Sequence, residues 1–223
     1  MHYCTAAVDC RNMRSAILFM ALALTGCTSL YYDAMEKIGK EKRDILLQRI
    51  VAGKKDQEEA KKQIKTTLEA FRDLTGFDGG NLEKTYKKLN GEFEDAEKRA
   101  NDVSDRIKSI DQVSKDLFRE WTQELSNIKD TALHARSEQL LTATRTRQQQ
   151  YLRRMRQTES KMLPVIQGFR DQVLFLKHNL NAKAIGSLKT TAAKMDGDVS
   201  VLIADLEGSI VEADKFIKTL TTE

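Results

Sequence analysis

The chain has 223 residues, 31% of them charged and only 6% aromatic, with a single proline (Pro164) and a formal net charge of +4. Charge this evenly balanced and interspersed lacks the electrostatic footprint of a nucleic-acid binder, so no nucleic acid is expected as a partner. Abundant Ala, Glu, Lys, Leu, Arg and Gln favour long helices over sheets, because these side chains lose little rotamer freedom in a helix.

The first element is apolar. The stretch MRSAILFMALALTGCTSLYY (Met13 to Tyr32) contains an unbroken apolar run from Ala16 to Leu24. A spanning helix needs roughly 20 apolar residues, so a run this short fits the h-region of a signal peptide instead. Arg14 precedes it and Met13 makes a natural start, so residues 1–12 (MHYCTAAVDCRN) read as an over-extended gene start. Leu24-Thr25-Gly26-Cys27 resembles the bacterial lipoprotein signal, the lipobox. That resemblance implies cleavage before Cys27, which then carries a diacylglycerol thioether and an acylated amino terminus. The alternative is an ordinary secretory peptide that contains a cysteine. Ser29, with no aspartate beside Cys27, resembles the pattern of lipoproteins sent to the outer membrane, which implies the periplasmic face of that membrane. Cys4 and Cys10 fall in the part removed. Cys27 would otherwise be a lone thiol in an oxidising compartment, and lipidation removes it as one. Acyl chains at about 0.8 kcal/mol per buried CH2 give stable anchoring. The expectation is a signal peptide over 1–26 and one elongated helical domain over 27–223, with the covalent lipid as the only cofactor.

Beyond Tyr31 the apolar positions follow a 3.5-residue period. The first segment carries Leu46, Ile50, Gly53, Gln57, Ala60, Ile64, Thr67, Phe71 and Leu74, and ends at the glycine cluster Thr75–Asn81, which reads as a reversal. The second runs from Leu82 through Leu89, Phe93, Ala96, Val103, Ile110 and Leu117 to Ile128 in strict 4-3 spacing, roughly 69 Å at 1.5 Å per residue. A weak break is expected around Ser126–Thr131. The third segment, from about Ala132 to His178, is more polar, and Pro164 is expected to kink or interrupt it. The fourth restores the seam from Ile185 to Leu220. Four long helices with short connections run antiparallel, so the predicted fold is all-α: an elongated antiparallel helical bundle or coiled coil.

Three phrases carry a family resemblance: LYYDAMEKIGKEKRDILLQRI from Leu30, the Glu120-Trp121 region, and MLPVIQGFRDQVLFLKHNLNAKAIGSL from Met162. They resemble a proteobacterial domain-of-unknown-function family of helical, coiled-coil proteins, often lipoproteins. The resemblance implies an envelope protein and supplies no activity. A phosphate-cradling loop is not formed, since Gly39-Lys40 and Gly53-Lys54-Lys55 lack the upstream glycine spacing.

Chemistry-bearing constellations are few. His134 and His178 have no ligand-type residue at helical spacing, so no metal is expected, and His178 reads as a capping or bundle-end group. No nucleophile arrangement appears, and an enzyme is not expected. The run Arg145 to Arg156 holds five arginines and no acid. Arg147, Arg153, Arg154 and Arg156 are a candidate anion patch for lipid headgroups, lipopolysaccharide or an acidic partner. The favoured reading is structural: with a hairpin turning near residue 129, Arg156, Arg153 and Arg147 would face Asp102, Asp105 and Asp111 and set the register. Gly186, Gly197 and Gly208 recur every eleven residues off the last seam, which keeps them on one strip of the helix. They are a candidate close helix contact, within the bundle or with a second copy. The expected function is a non-enzymatic lipoprotein with a scaffold or partner-binding domain. The alternative is lipid handling by amphipathic helices.

Overall fold

The computed structural model describes residues 41–222. Five α-helices, and no strand among the described residues, follow one another: α1 (Lys42–Thr75), α2 (Leu82–Leu125), α3 (Thr131–His178), α4 (Ala182–Ser187) and α5 (Lys189–Thr222). The chain divides into two compact units at Asp44/Ile45. The first is described only from residue 41, so the bundle is the second. The expected signal peptide and Cys27 lie outside the described residues.

Each helix is long because its seam is unbroken and its ends are marked. All nine seam positions expected in the first segment are buried in α1. In α2 the seam is buried from Leu89 to Leu117, and Leu125 closes it. Asn81 caps α2 by accepting from the Lys84 amide at 2.9 Å. Asp130 caps α3 by accepting from Ala132 and Leu133, both at 2.9 Å. Such side chains satisfy amides that the first turn leaves orphaned. Between α1 and α2, Gly80 takes a φ of +103°, open to glycine and costly for other residues.

Ion pairs on the flanks show how the helices run. Asp56 meets Arg106 and Asp73 meets Lys88, so α1 and α2 are antiparallel. Asp111 meets Arg156 and Glu97 meets Arg170 between α2 and α3. Lys54, Lys61 and Arg72 of α1 meet Asp214, Glu207 and Asp196 of α5. Because Lys161 and Arg154 of α3 both reach Asp205 of α5, the ring closes. The result is an up-down-up-down four-helix bundle, as expected. Across its axis Phe71 and Phe169 pack edge to face at 6.2 Å, and Tyr151 meets Phe216 at 6.0 Å.

The structure corrects three details. Arg156 meets Asp111 rather than Asp102. Near the turn Trp121 donates to Ser137 at 2.9 Å in the expected register, whereas farther along the pair the partners are offset by nine residues. Pro164 does not interrupt α3, which continues from Thr131 to His178. The proline is exposed, where water can take the freed carbonyl, while Met162 and Val165 on either side stay in the seam. The last segment breaks at Leu188 into α4 and α5. There Gly186 weakens the helix, and the Ser187 hydroxyl donates to the Ala184 carbonyl at 2.6 Å, competing with the next turn.

Around Phe71 the buried polar groups, Thr67 and Thr75, donate to backbone carbonyls, whereas the end where α1 begins holds larger and less satisfied ones. Gln57, Ser114, Gln148 and Ser209 are all buried there. The Tyr151 hydroxyl, the Gln57 carboxamide oxygen and the Ser209 hydroxyl have no hydrogen-bond partner among the described residues. Burial pushes the Tyr151 phenol well above its ordinary value, and the neighbouring Gln57 carboxamide eases that rise only in part. In Tyr151→Phe the orphaned hydroxyl is gone, so stability at neutral pH is expected to hold or rise by about 1 kcal/mol. A group whose folded pKa is raised loses its stabilising effect as pH climbs past its unfolded value, about 10 for tyrosine. Denaturant melts at neutral and alkaline pH should therefore show a shallower alkaline loss in the variant than in the parent.

At Gly53 a Cβ would meet Arg106 Cγ at 3.1 Å, Ile110 Cδ1 at 3.2 Å and the Tyr151 hydroxyl at 3.3 Å. Gly91, inside α2, has nothing within 4 Å of that position. Gly91→Ala is expected to raise stability by about 1 kcal/mol through helix propensity. Gly53→Ala should lose that gain to crowding and fall below the parent by about 1 kcal/mol. Thermal unfolding of the two variants side by side tests the contrast.

Candidate functional site

A groove of about 930 Å3 runs between α2 and α3. Its floor holds Phe118 and Leu152, both largely buried, and two buried polar side chains, Ser114 and Gln148. Lys115 and Arg119 stand on the α2 wall, and Arg145, Arg153 and Arg156 on the α3 wall. One acid, Asp111, lines it and is held by Lys115 at 3.0 Å and Arg156 at 2.9 Å. Arg119 is turned to the buried carboxylate of Asp116 at 2.6 Å. That carboxylate also accepts from Gln112 at 2.9 Å.

Two of the cations are differently placed. The guanidinium of Arg145 lies 5.3 Å from the centre of the Phe118 ring, and its Nη2 donates to the Thr122 hydroxyl at 3.2 Å. A cation over an aromatic face is held without losing its charge. Arg153 is exposed, and neither it nor Arg145 has an ion pair among the described residues. Positive charge in this groove is therefore in excess of what the bundle uses.

The four arginines of the expected patch do not act together. Arg156 pairs with α2 through Asp111. Arg154 turns the other way, to Asp205 of α5 at 3.2 Å. Arg147 and Arg154 line a separate groove of about 650 Å3 between α3 and α5, and Arg153 sits on the ridge between the two grooves. The favoured structural reading, in which this run faces α2 as a row, holds only for Arg156. Residues at successive helical positions 100° apart cannot all face one neighbour, and α3 has a neighbour on each side.

Two glycines of the strip are not in a close contact within the bundle. Gly186 and Gly197 are exposed, with nothing within 4 Å of a Cβ. Gly197 faces outward because the seam of α5 already faces in, and Gly186 lies in α4, across the break at Leu188. Only Gly208 is covered, by the guanidinium of Arg154 rather than by a helix backbone. His178 ends α3 exposed, and the capping hydrogen bonds at that junction come from Asn179 and Asn181. No cluster of metal-ligating side chains forms among the described residues, and no described helix is long and apolar enough to cross a membrane.

Arg145, Lys115, Arg119, Gln148 and Phe118 belong to the site and were outside the candidate set. Their signal was present as rows of four-residue spacing beside the seams: Arg145, Gln149 and Arg153 on one helix, and Lys115 and Arg119 on the other.

The family model described as "Protein of unknown function (DUF2959)" matches residues 31–220. The chain belongs to that family. The match starts ahead of α1 and stops two residues short of the end of α5, so it takes in all five helices almost entirely. No curated protein and no solved structure matches the chain.

Asp205 ties α5 to α3, with its side chain largely buried between Arg154 and Lys161. Asp205→Asn is expected to cost roughly 1 kcal/mol in low salt, with the loss shrinking as ionic strength rises, since partly exposed pairs are screened. Melting temperatures across a salt series provide the check.

Proposed function

We propose that the protein is a non-enzymatic envelope lipoprotein, held by an acylated Cys27 at the periplasmic face of the outer membrane, whose bundle is a scaffold presenting a partner-binding groove. The observation that carries this reading is the α2–α3 groove, with its uncompensated arginines on a bundle whose other flanks are stitched by matched charges. A scaffold is supported over lipid handling by the fate of the seams. They are buried against one another along each long helix, so the apolar faces are already occupied. The lipobox-like Leu24–Cys27 supports the anchor, and such a lipid gives stable attachment without a spanning helix.

Cells fed radiolabelled palmitate should incorporate label into the full chain and lose it in Cys27→Ala, with the variant leaving the membrane fraction. Label retained in Cys27→Ala, or absent from the parent, overturns the anchor.

A further inference from the structure

Resting on the partner-binding reading, we propose that the α2–α3 groove takes an extended acidic peptide segment of a partner protein. The site is built rather than merely charged. Gln148 is 5% exposed, lines the groove, and makes no hydrogen bond among the described residues. Its carboxamide is not among the sealed polar atoms and opens on the groove, where water serves it in the free protein. A ligand in the groove can take the water's place.

The chemistry of the walls selects the ligand class. The guanidinium-bearing residues without an acidic partner, Arg145 and Arg153, are eight positions apart on α3, about 12 Å along the helix. A single phosphate calls for converging guanidiniums, whereas this spacing suits carboxylates carried at intervals on a chain. Between them the groove presents amides, Gln148 and Gln149, with Gln123 on the opposite wall. Amides donate and accept in the manner of a peptide backbone. From Asp111 to Gln123 the α2 wall is about 18 Å long, room for some five to six residues of extended chain at about 3.3 Å each. A bilayer surface cannot reach a buried Gln148. The volume, about 930 Å3, lies within the range of specific pockets.

The test uses fluorescein-labelled oligoglutamate titrated into the full chain in neutral detergent, read by anisotropy. The Arg145→Gln/Arg153→Gln double variant should weaken binding at least about tenfold, since charge-assisted pairs are the strong ones. Asp111→Asn removes the groove's acid and should tighten binding about threefold. Gln148→Leu should weaken it several-fold with an unchanged helical spectrum, and Gln149→Ala makes the same point from an exposed position. Arg147→Gln, which removes a cation outside the groove, should stay within about twofold. Equal losses in Arg147→Gln and in each groove arginine overturn the proposal, because binding then follows net charge alone. Displacement of the peptide by inorganic phosphate or by phosphatidylglycerol vesicles at matched charge overturns the ligand class. Oligoglutamate that fails to bind a chain whose Cys27 does take palmitate overturns the groove and leaves the anchor standing. Binding that survives while palmitate labelling fails does the reverse.

Discussion

Burial of a narrow apolar seam along four long helices is the interaction on which everything else in this molecule rests. Helices of this length, polar over most of their circumference, gain their stability from packing one face rather than from propensity. The seam is one or two side chains wide, which is why so few aromatics suffice. It also determines what is left over. Residues flanking it meet across the helix boundaries as ion pairs, and such exposed pairs contribute little energy each. Their value lies in register, since a slipped helix would set like charges against one another.

The same seam made much of the fold legible in the sequence. The 4-3 spacing located the core positions of α1 and α2, and the glycine cluster after Thr75 and the break near Ser126 marked two loops. What stayed hidden was geometry that no period encodes. The register along α2 and α3 brought Arg156 to Asp111, nine residues from the position a tight hairpin predicts. Pro164 was tolerated because it faces water, a matter of phase around the helix rather than of residue type. The run from Arg145 to Arg156 looked like one patch in the sequence, yet a helix distributes twelve consecutive residues around its full circumference. Two grooves therefore share its arginines. Gln148 was legible as a seam residue. Its lack of a partner was not, because that depends on what three other helices bring.

The bundle is uneven along its axis, and this unevenness links its interior to its surface. Around Phe71 and Phe169 the core packs ring against ring, and its buried threonines are hydrogen-bonded. Toward the other end, Gln57, Tyr151, Ser209 and Gln148 replace apolar layers, and some of their polar atoms lack partners. Buried polar groups without partners reduce stability. The α2–α3 groove opens beside this weaker half, with Ser114 and Gln148 shared between core and groove. A stable half that holds the helices together and a less satisfied half that carries the opening are a physically consistent division of one scaffold.

The closure of the ring by α1 and α5 has a topological consequence. Lys54 facing Asp214 and Arg72 facing Asp196 make the first and last helices antiparallel neighbours like every other adjacent pair. Four helix–helix seams thus surround the axis, while the chain supplies turns for only three of them. The order of helices along the polypeptide is then incidental to the packing. A chain that joined the end of α5 to the start of α1 and was opened at Gly79-Gly80 would contain the same four seams. Cyclic permutation of the sequence should be invisible to the core.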